Sequence, residues 1–591
     1  MTTTVSIVCG LIISAATTAA AQVDRTLTPI ESFAGARRAE GIVFWDENAN
    51  ARRDPGEQGV PGVRVTALHQ FGISDANGRF SVASEQPFLA LSMSWPSGTW
   101  PTGSWFELLR QPVQRDIAFG LRREDQKLPL VFVQFTDPHS FVLEACKIIP
   151  QECGRHGLAP KFYVATGDFI DQYARLENMP EARRLFAKIR QALDEAEAPL
   201  FMVPGNHDVF MMRGGATHGP IRPEAARHPM FGLKAWEKYI CPKYWSFTCA
   251  NVHVIGLEWG EVFQGNMVRY SPAMRGWMES ELSLQPPDSR LIVNCHDPVW
   301  VPSQQRFMDF GQDLMLFGHS HIEGPMMGNR TMLSAGDCRA TTGQLHDGRP
   351  HGYRIVVVEE DRFDTFYKGL GEDRAIILNT PRKHATIRDT ETFTVRAQAF
   401  DPRGRIRHIG VSIGGQRLEV TRTRRRYWSD VEATVTTADL AAGFHDLVVK
   451  ATWPDGVWAL TQPCLVFTER QAPFTAAGPA VLTGTIFGLD RPYKLRFNGT
   501  VIGSVEPGGN RSDPFSFEIP ATLLRRLNTV YLPGAKGRLK LWGVTVNYEG
   551  KRFVDHRQTW DRMWQSEDLH RIVYVDLTRP HWETWKVKTV R

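Results

Sequence analysis

Short apolar runs punctuate the middle of the chain: Leu130–Phe135, Phe162–Ala165, Leu200–Val203, Leu291–Val293 and Leu314–Phe317. Runs this short, without strict alternation, fit strands covered on both faces. Pro180–Glu197 differs, because Leu185, Ile189 and Leu193 recur on one helical face with charges between them, which predicts an amphipathic helix. Tyr353–Glu359 and Phe363–Tyr367 predict two closing strands. Strands alternating with a helix imply a layered α/β unit over residues 126–372.

On either side the pattern has period two. Gly41–Trp45, Val63–Leu68 and an Asn77-Gly78 hairpin signal predict a β-sandwich module over residues 41–125. Phe393, Val395, Ala397 and Ala399 alternate, as do Ile409, Val411 and Ile413, then Leu447, Val449 and Ala451. Broken by Gly414-Gly415 and Pro454-Asp455-Gly456, they predict an immunoglobulin-like or fibronectin-like sandwich over residues 373–470. Residues 471–591 contain Asn498-Gly499 and a tryptophan-rich end (Trp560, Trp564, Trp582, Trp585), and are expected to form a jelly-roll-like β domain. At the start, apolar Val5–Ala16 leads to Ala19-Ala20-Ala21, which predicts a signal peptide over residues 1–21, a linker over 22–40, and an exported protein, periplasmic or extracellular. No other run is long and apolar enough for a transmembrane helix.

At 591 residues the chain exceeds what one core organises, in keeping with several domains. A net charge of only +5, with Lys and Arg scattered, argues against nucleic acid as an extended partner but not against a small anionic substrate. Cleavage would remove Cys9 and leave an odd seven cysteines with no CxxC zinc spacing. Cys146/Cys153 and Cys241/Cys249 could be disulfides in an oxidising compartment, or reduced and buried.

The candidate chemistry follows the apolar runs. Each of five strands is followed by potential metal ligands: Asp137-Pro138-His139, then Gly167-Asp168-Phe169-Ile170-Asp171, then Gly205-Asn206-His207-Asp208, then His296-Asp297, then Gly318-His319-Ser320-His321. Ligands of α/β sheets bind at the carboxyl ends of strands, so these clusters can converge. A mixed imidazole, carboxylate and amide set suits Mn, Fe or Zn better than calcium. The glycines ahead of Asp168, Asn206 and His319 allow tight turns and close backbone approach.

D-x-H, G-D-x-x-D, G-N-H-D, a lone His and G-H-x-H, in that order from Leu130 to Gly371, resemble the calcineurin-like metallophosphoesterases, especially a branch similar to class III cyclic-nucleotide phosphodiesterases. The resemblance implies an αββα sandwich core flanked by all-β sandwich domains, the first similar to the prealbumin-like modules of some secreted members. It also implies two metal ions. Asp137, His139 and His321 would hold one; Asn206, His296 and His319 would hold the other; Asp168 would bridge them. Water between the ions would become a hydroxide nucleophile. His207 would donate a proton to the leaving oxygen, with Asp171 orienting it and Asp208 in support. Asp171 could instead be a helix N-cap. Asp171 also stands where purple acid phosphatases have tyrosine, and Gln172-Tyr173 replaces the arginine of protein phosphatases.

The implied activity is hydrolysis of small phosphate esters, diesters ahead of monoesters and nucleotides. A contrasting expectation is an envelope glycan-binding protein with an inactive core, its β-modules gripping glycan or an envelope surface. Val209–Pro229, with Arg213, His218 and Arg222, is a phosphate clamp or a surface loop; Trp259 and Trp300 could stack on a substrate ring or pack in the core. Separately, Asp46, Asn48, Asn50, Asp54 and Glu57 have EF-hand ligand spacing, with Ala51 where glycine is expected. A structural calcium and a plain acidic turn are both open.

Overall fold

The computed structural model describes residues 35–577, except 172–177, 197, 210–218, 221–230, 264–265, 269–270, 299, 302–305, 308, 327–328, 344, 346–348, 382–385, 389–391, 468–470, 472–473, 490, 509–511, 533–539 and 556–571. The proposed signal peptide, most of the Val209–Pro229 loop and the C-terminal tryptophans lie outside the described residues. No described helix is long and apolar enough to cross a membrane.

Two sheets form the centre of the molecule. One runs Leu200–Val203, Phe162–Thr166, Leu130–Phe135, Gly352–Val358, Phe363–Gly369. Its first three strands are mutually parallel and the last two antiparallel. The other runs Trp245–Cys249, Val252–Gly256, Arg290–Asn294, Leu314–Phe317, Asn329–Ser334, Gly324–Met326, with the middle four parallel. Phe132, Val164, Phe201, Phe247, Val254, Ile292 and Leu316 share one buried cluster between the sheets. Every residue of Leu130–Phe135 is buried, which is why this strand lacks polar alternation.

Helices cover the outer faces. Val142–His156 packs Ala145 and Ile149, and Met179–Asp194 packs Phe186 and Ile189, against Val131, Val133 and Met202. The first ends where Gly157 adopts φ +70° and its N–H bonds back into the last turn. The second starts where the Asn178 side chain caps Glu181 N. On the other sheet, Pro272–Ser283 buries Met274, Trp277 and Met278 against Ile255, Val293 and Met315.

The first strand of the N-terminal module is Ala36–Trp45, so it starts inside the stretch expected to be linker. Two four-stranded sheets make up this module. Asn77-Gly78 does not close a two-strand hairpin, since Arg79–Phe88 pairs with Ala36–Trp45 instead of Gln70–Ile73. Asp75 Oδ1 accepts from both Asn77 N and Arg79 N, making a side-chain-stabilised turn that carries the chain from one sheet to the other. The module is welded to the core. Trp95 stacks on Phe247 at 4.7 Å, and Thr248 N donates to Trp95 O at 3.0 Å. Nearby, Arg64 reaches Glu281 at 2.9 Å, and Glu281 lies 3.0 Å from buried His253.

Beyond Gly369 a four-stranded and a five-stranded sheet follow, and then two four-stranded sheets. Gly414-Gly415 and Asn498-Gly499 are tight turns with φ positive at both residues, the geometry a two-residue hairpin needs. Phe400 and Trp428 of the third unit pack on Phe366 of the central one, at 5.4 and 5.5 Å. All seven described cysteines are free and buried, so the Cys146/Cys153 and Cys241/Cys249 disulfides are not formed here.

Candidate metal centre

The ligand-bearing residues lie just past the carboxyl ends of five strands: Asp137 and His139 after Leu130–Phe135, Asp168 after Phe162–Thr166, Asn206 after Leu200–Val203, His296 after Arg290–Asn294, and His319 and His321 after Leu314–Phe317. Gln134 ties the two sheets together immediately below, its Nε2 donating to Thr166 Oγ1 at 3.1 Å and Phe317 O at 3.0 Å.

The backbone is bent hard to bring these side chains inward. Asp137, His139, Asp168, His319 and His321 all have φ between +48° and +65°. For non-glycine residues each such conformation costs on the order of 1–3 kcal/mol and persists only where surroundings over-determine it. Here Asp137 N donates to Gly167 O and His139 N to Asp168 O, both at 3.0 Å. Asp137 Oδ2 accepts from His319 N at 3.0 Å and from Thr136 Oγ1 at 2.6 Å. Buried Asp208 is the central clasp, accepting from Asp168 N and Phe169 N at 2.9 Å and from Gly205 N at 2.7 Å. Burial pushes its carboxyl up, with Asp168 adding to the effect, while those donors hold its oxygens as acceptors.

Three glycines are required by space. A Cβ on Gly167 would lie 2.5 Å from His296 Nδ1, one on Gly205 2.2 Å from Asp168 Oδ1, and one on Gly318 1.8 Å from Thr136 Oγ1.

Two groups of donor atoms result. Asp137, His139 and His321 place one atom each within 4.8 Å of one another, and Asp168, His296 and His319 do the same. Asn206 joins the second group, its Oδ1 lying 3.0 Å from His296 Nε2. Hydrogen bonding fixes the imidazoles. His296 Nδ1 donates to Thr166 O at 2.8 Å and His139 Nδ1 to Ile170 O at 3.0 Å, which turns each Nε2 lone pair inward. His296 Nε2 then faces Asn206 Oδ1, Asp168 Oδ2 at 3.2 Å and His319 Nδ1 at 3.2 Å. Acceptors crowded this way repel unless a proton or a metal cation sits among them. Burial alone would lower His296 and His321, but Asp168 and Asp137 respectively push each up to about 10. The cluster thus attracts positive charge, and its imidazole–carboxylate–amide donors fit a transition metal.

Asp337 was not legible as part of the site. It follows no ligand motif, yet its Oδ2 lies 2.9 Å from His321 Nδ1, while His351 Nδ1 bonds its Oδ1. The imidazoles pull its carboxyl down to about 2 against the effect of burial.

His207 stands at the rim. Its Nδ1 donates to the backbone carbonyl of Asp171 at 2.9 Å, and its Nε2 is 3.8 Å from Asp168 Oδ2. The atom of Asp171 that orients His207 is therefore its carbonyl oxygen; its carboxylate lies 3.7 Å from His139 Nδ1. Trp259 packs in the core beneath, and the Trp300 side chain lies outside the described residues. In the Asp46–Glu57 loop, Asp46 accepts from Asn50 N and Ala51 N, Glu57 accepts from Glu47 N and Asp54 N, and Asp54 accepts from Asn48 and Asn50. The loop's oxygens are gathered, but around its own donors.

No curated protein matches the chain. Among solved structures, Vps29 from Cryptosporidium parvum is similar at 9% identity over 53% of this chain and 100% of that one, with a TM-score of 0.19. A Vps29 single mutant from Entamoeba histolytica is similar at 10% identity over 41% and 100%, with a TM-score of 0.17. Fibronectin(III)-like modules of Clostridium thermocellum CbhA are similar at 16% identity over 30% and 87%, with a TM-score of 0.14. Scores this low carry no argument. A family model does match, over residues 130–323, and its family is the calcineurin-like phosphoesterases. Residues 130–323 thus match the calcineurin-like phosphoesterase family, and their Asp and His side chains form two candidate metal sites.

Proposed function

We propose that this chain is an exported, dinuclear-metal phosphoesterase that hydrolyses small phosphate esters, diesters ahead of monoesters. The observation that carries the reading is the pair of three-residue groups whose carboxylate and imidazole ligand atoms lie within 4.8 Å of one another. Asp137, His139 and His321 would hold one Mn, Fe or Zn ion, and Asn206, His296 and His319 the other, with Asp168 between. Such ions, when bound, supply Lewis acidity toward a phosphoryl oxygen and activate water as nucleophile. The preference for diesters rests on the resemblance of GNHD and GHSH to the phosphodiesterase branch.

His207 serves as the leaving-group acid. With Nδ1–H committed to the Asp171 carbonyl, its second proton sits on Nε2, the edge facing Asp168. Burial lowers its pKa, so that proton is readily given up.

The test is turnover of bis- and mono-p-nitrophenyl phosphate by protein loaded with Mn, Fe or Zn, beside His207→Ala. Metal retention with activity down roughly 10²-fold or more is expected of the variant. Full activity would remove His207 from the reaction; no turnover by any loaded wild type would sink the hydrolase reading. A structural calcium in the Asp46–Glu57 loop belongs to the same proposal, and an unchanged calcium response of the melting temperature in Asp46→Ala would refute it.

A further inference from the structure

Between Asp401 and Arg426 stand eight arginines and no lysine, against two acids, Asp401 and Glu419: a net +6 in a chain whose total is +5. Seven of the arginines fall in sequence into two short groups, 403–407 and 422–426, far from any motif, with Arg417 apart from both. The fold brings the groups side by side. The turn after Asp401 lies along the edge strand Thr421–Arg424: Arg422 Nη1 donates to Ile406 O at 3.0 Å, and a Cβ on Gly404 would lie 3.8 Å from Arg424 Nη2. All four residues of that strand are exposed, as are Arg403, Arg405, Arg407 and Arg426.

Arg425 is paired with Asp430 and Asp364, at 2.6 and 3.5 Å, and little neutralises the rest of the patch. Asp401 is buried and shared, its Oδ2 lying 3.8 and 3.7 Å from Arg422 and Arg424. It also accepts from Arg405 N and Ile406 N. Crowded guanidiniums repel one another, and burial together with Arg422 lowers Arg424 despite Asp401. A surface that concentrates like charge at this cost is built for an opposite charge.

We propose that this face of the third domain binds a linear polymer of phosphate groups. Arginine without lysine favours oxyanions gripped by a planar fork of N–H donors. Arg422 and Arg424 share one face of the strand about 7 Å apart, a spacing that suits successive charges along an extended chain. Among the described residues the large exposed apolar side chains are Ile73, Val113, Leu284, Val481 and Val501, none of them here, and Tyr427 and Trp428 are buried. The face therefore lacks both the wedge a membrane surface rewards and the rings on which bases stack.

Labelled inorganic polyphosphate is the probe, titrated into the full chain at rising salt. Salt-sensitive binding is expected, weakened at least tenfold in Arg405→Glu/Arg422→Glu/Arg424→Glu, with p-nitrophenyl phosphate turnover unchanged. Arg405→Glu/Arg407→Glu/Arg426→Glu, whose arginines make no ion pair among the described residues, gives the same loss without touching Asp401. Wild-type affinity retained in both variants would overturn the proposal, as binding at the metal centre would produce that result. Polyglutamate bound as well as polyphosphate, or duplex DNA or anionic phosphatidylglycerol vesicles bound more tightly, would overturn it too.

Discussion

Asp337 lies 2.9 Å from His321 Nδ1, on the side of the ring opposite Asp137, whose Oδ1 is 3.1 Å from His321 Nε2. A neutral imidazole has one N–H, so a hydrogen bond to Asp337 leaves a lone pair pointing at Asp137 and any ion there. Partners of this kind are worth roughly 10–100-fold in metal affinity. Asp337→Ala is expected to weaken metal binding by about that factor, read as metal content after dialysis at fixed free ion. Unchanged content would show the contact to be incidental.

Gly318 has no room for a methyl group, since its Cβ would meet Thr136 Oγ1 and Asp137 Oδ2. Gly318→Ala should displace Asp137 and abolish metal uptake. Gly154 is the counter-case: it sits inside the helix Val142–His156 with nothing near its Cβ position. Gly154→Ala should stabilise the protein by roughly 0.5–1 kcal/mol in denaturant unfolding.

Asp208 holds three backbone N–H groups from two loops, and an amide has only one oxygen to offer them. Asp208→Asn should cost about 1–3 kcal/mol for the donor left unpaired, and should loosen Asp168. The check is unfolding of the metal-free protein, which separates the structural loss from any loss of bound metal.

Arg64 belongs to the N-terminal module and Glu281 to the helix on the second sheet. Glu281 is wholly buried with His253, its charge favoured by His253 and Arg64 against burial. Arg64→Met should destabilise strongly, by about 3–5 kcal/mol, because a buried carboxylate loses a partner. Melting of the two units as one transition in wild type, and as two in the variant, would show that the pair helps hold them together.

His156 gives a pH dependence away from the metal centre. Burial, with Lys368 adding to it, lowers the His156 imidazole to about 4. The unfolded chain binds this proton near 6.5 and the folded chain only near 4, so its contribution is present above about 6.5 and lost as pH falls toward 4. His156→Gln should therefore lose less melting temperature than wild type between those pH values; parallel curves would refute the assignment.

How much was legible depended on how local the signal was. Leu130–Phe135, Leu200–Val203 and Leu314–Phe317 were readable to the residue, because burial on both faces leaves an apolar run broken only by Gln134. Asn77-Gly78 misled, since an Asn-Gly turn fixes a reversal of the chain but not the strand that pairs after it. Asp337 gave no signal, being an isolated acid whose importance comes from His321 arriving beside it.

The sequence alone determined the donor set, its order along the chain and the glycines that admit it, because ligand type and backbone freedom belong to single residues. Only the tertiary structure decided that Asp171 meets His207 through its carbonyl, that Asp208 clasps two loops, and that two arginine groups become one surface. Those are distances between residues remote in sequence or between particular atoms. They follow from how sheets stack and strands register, which no local pattern encodes.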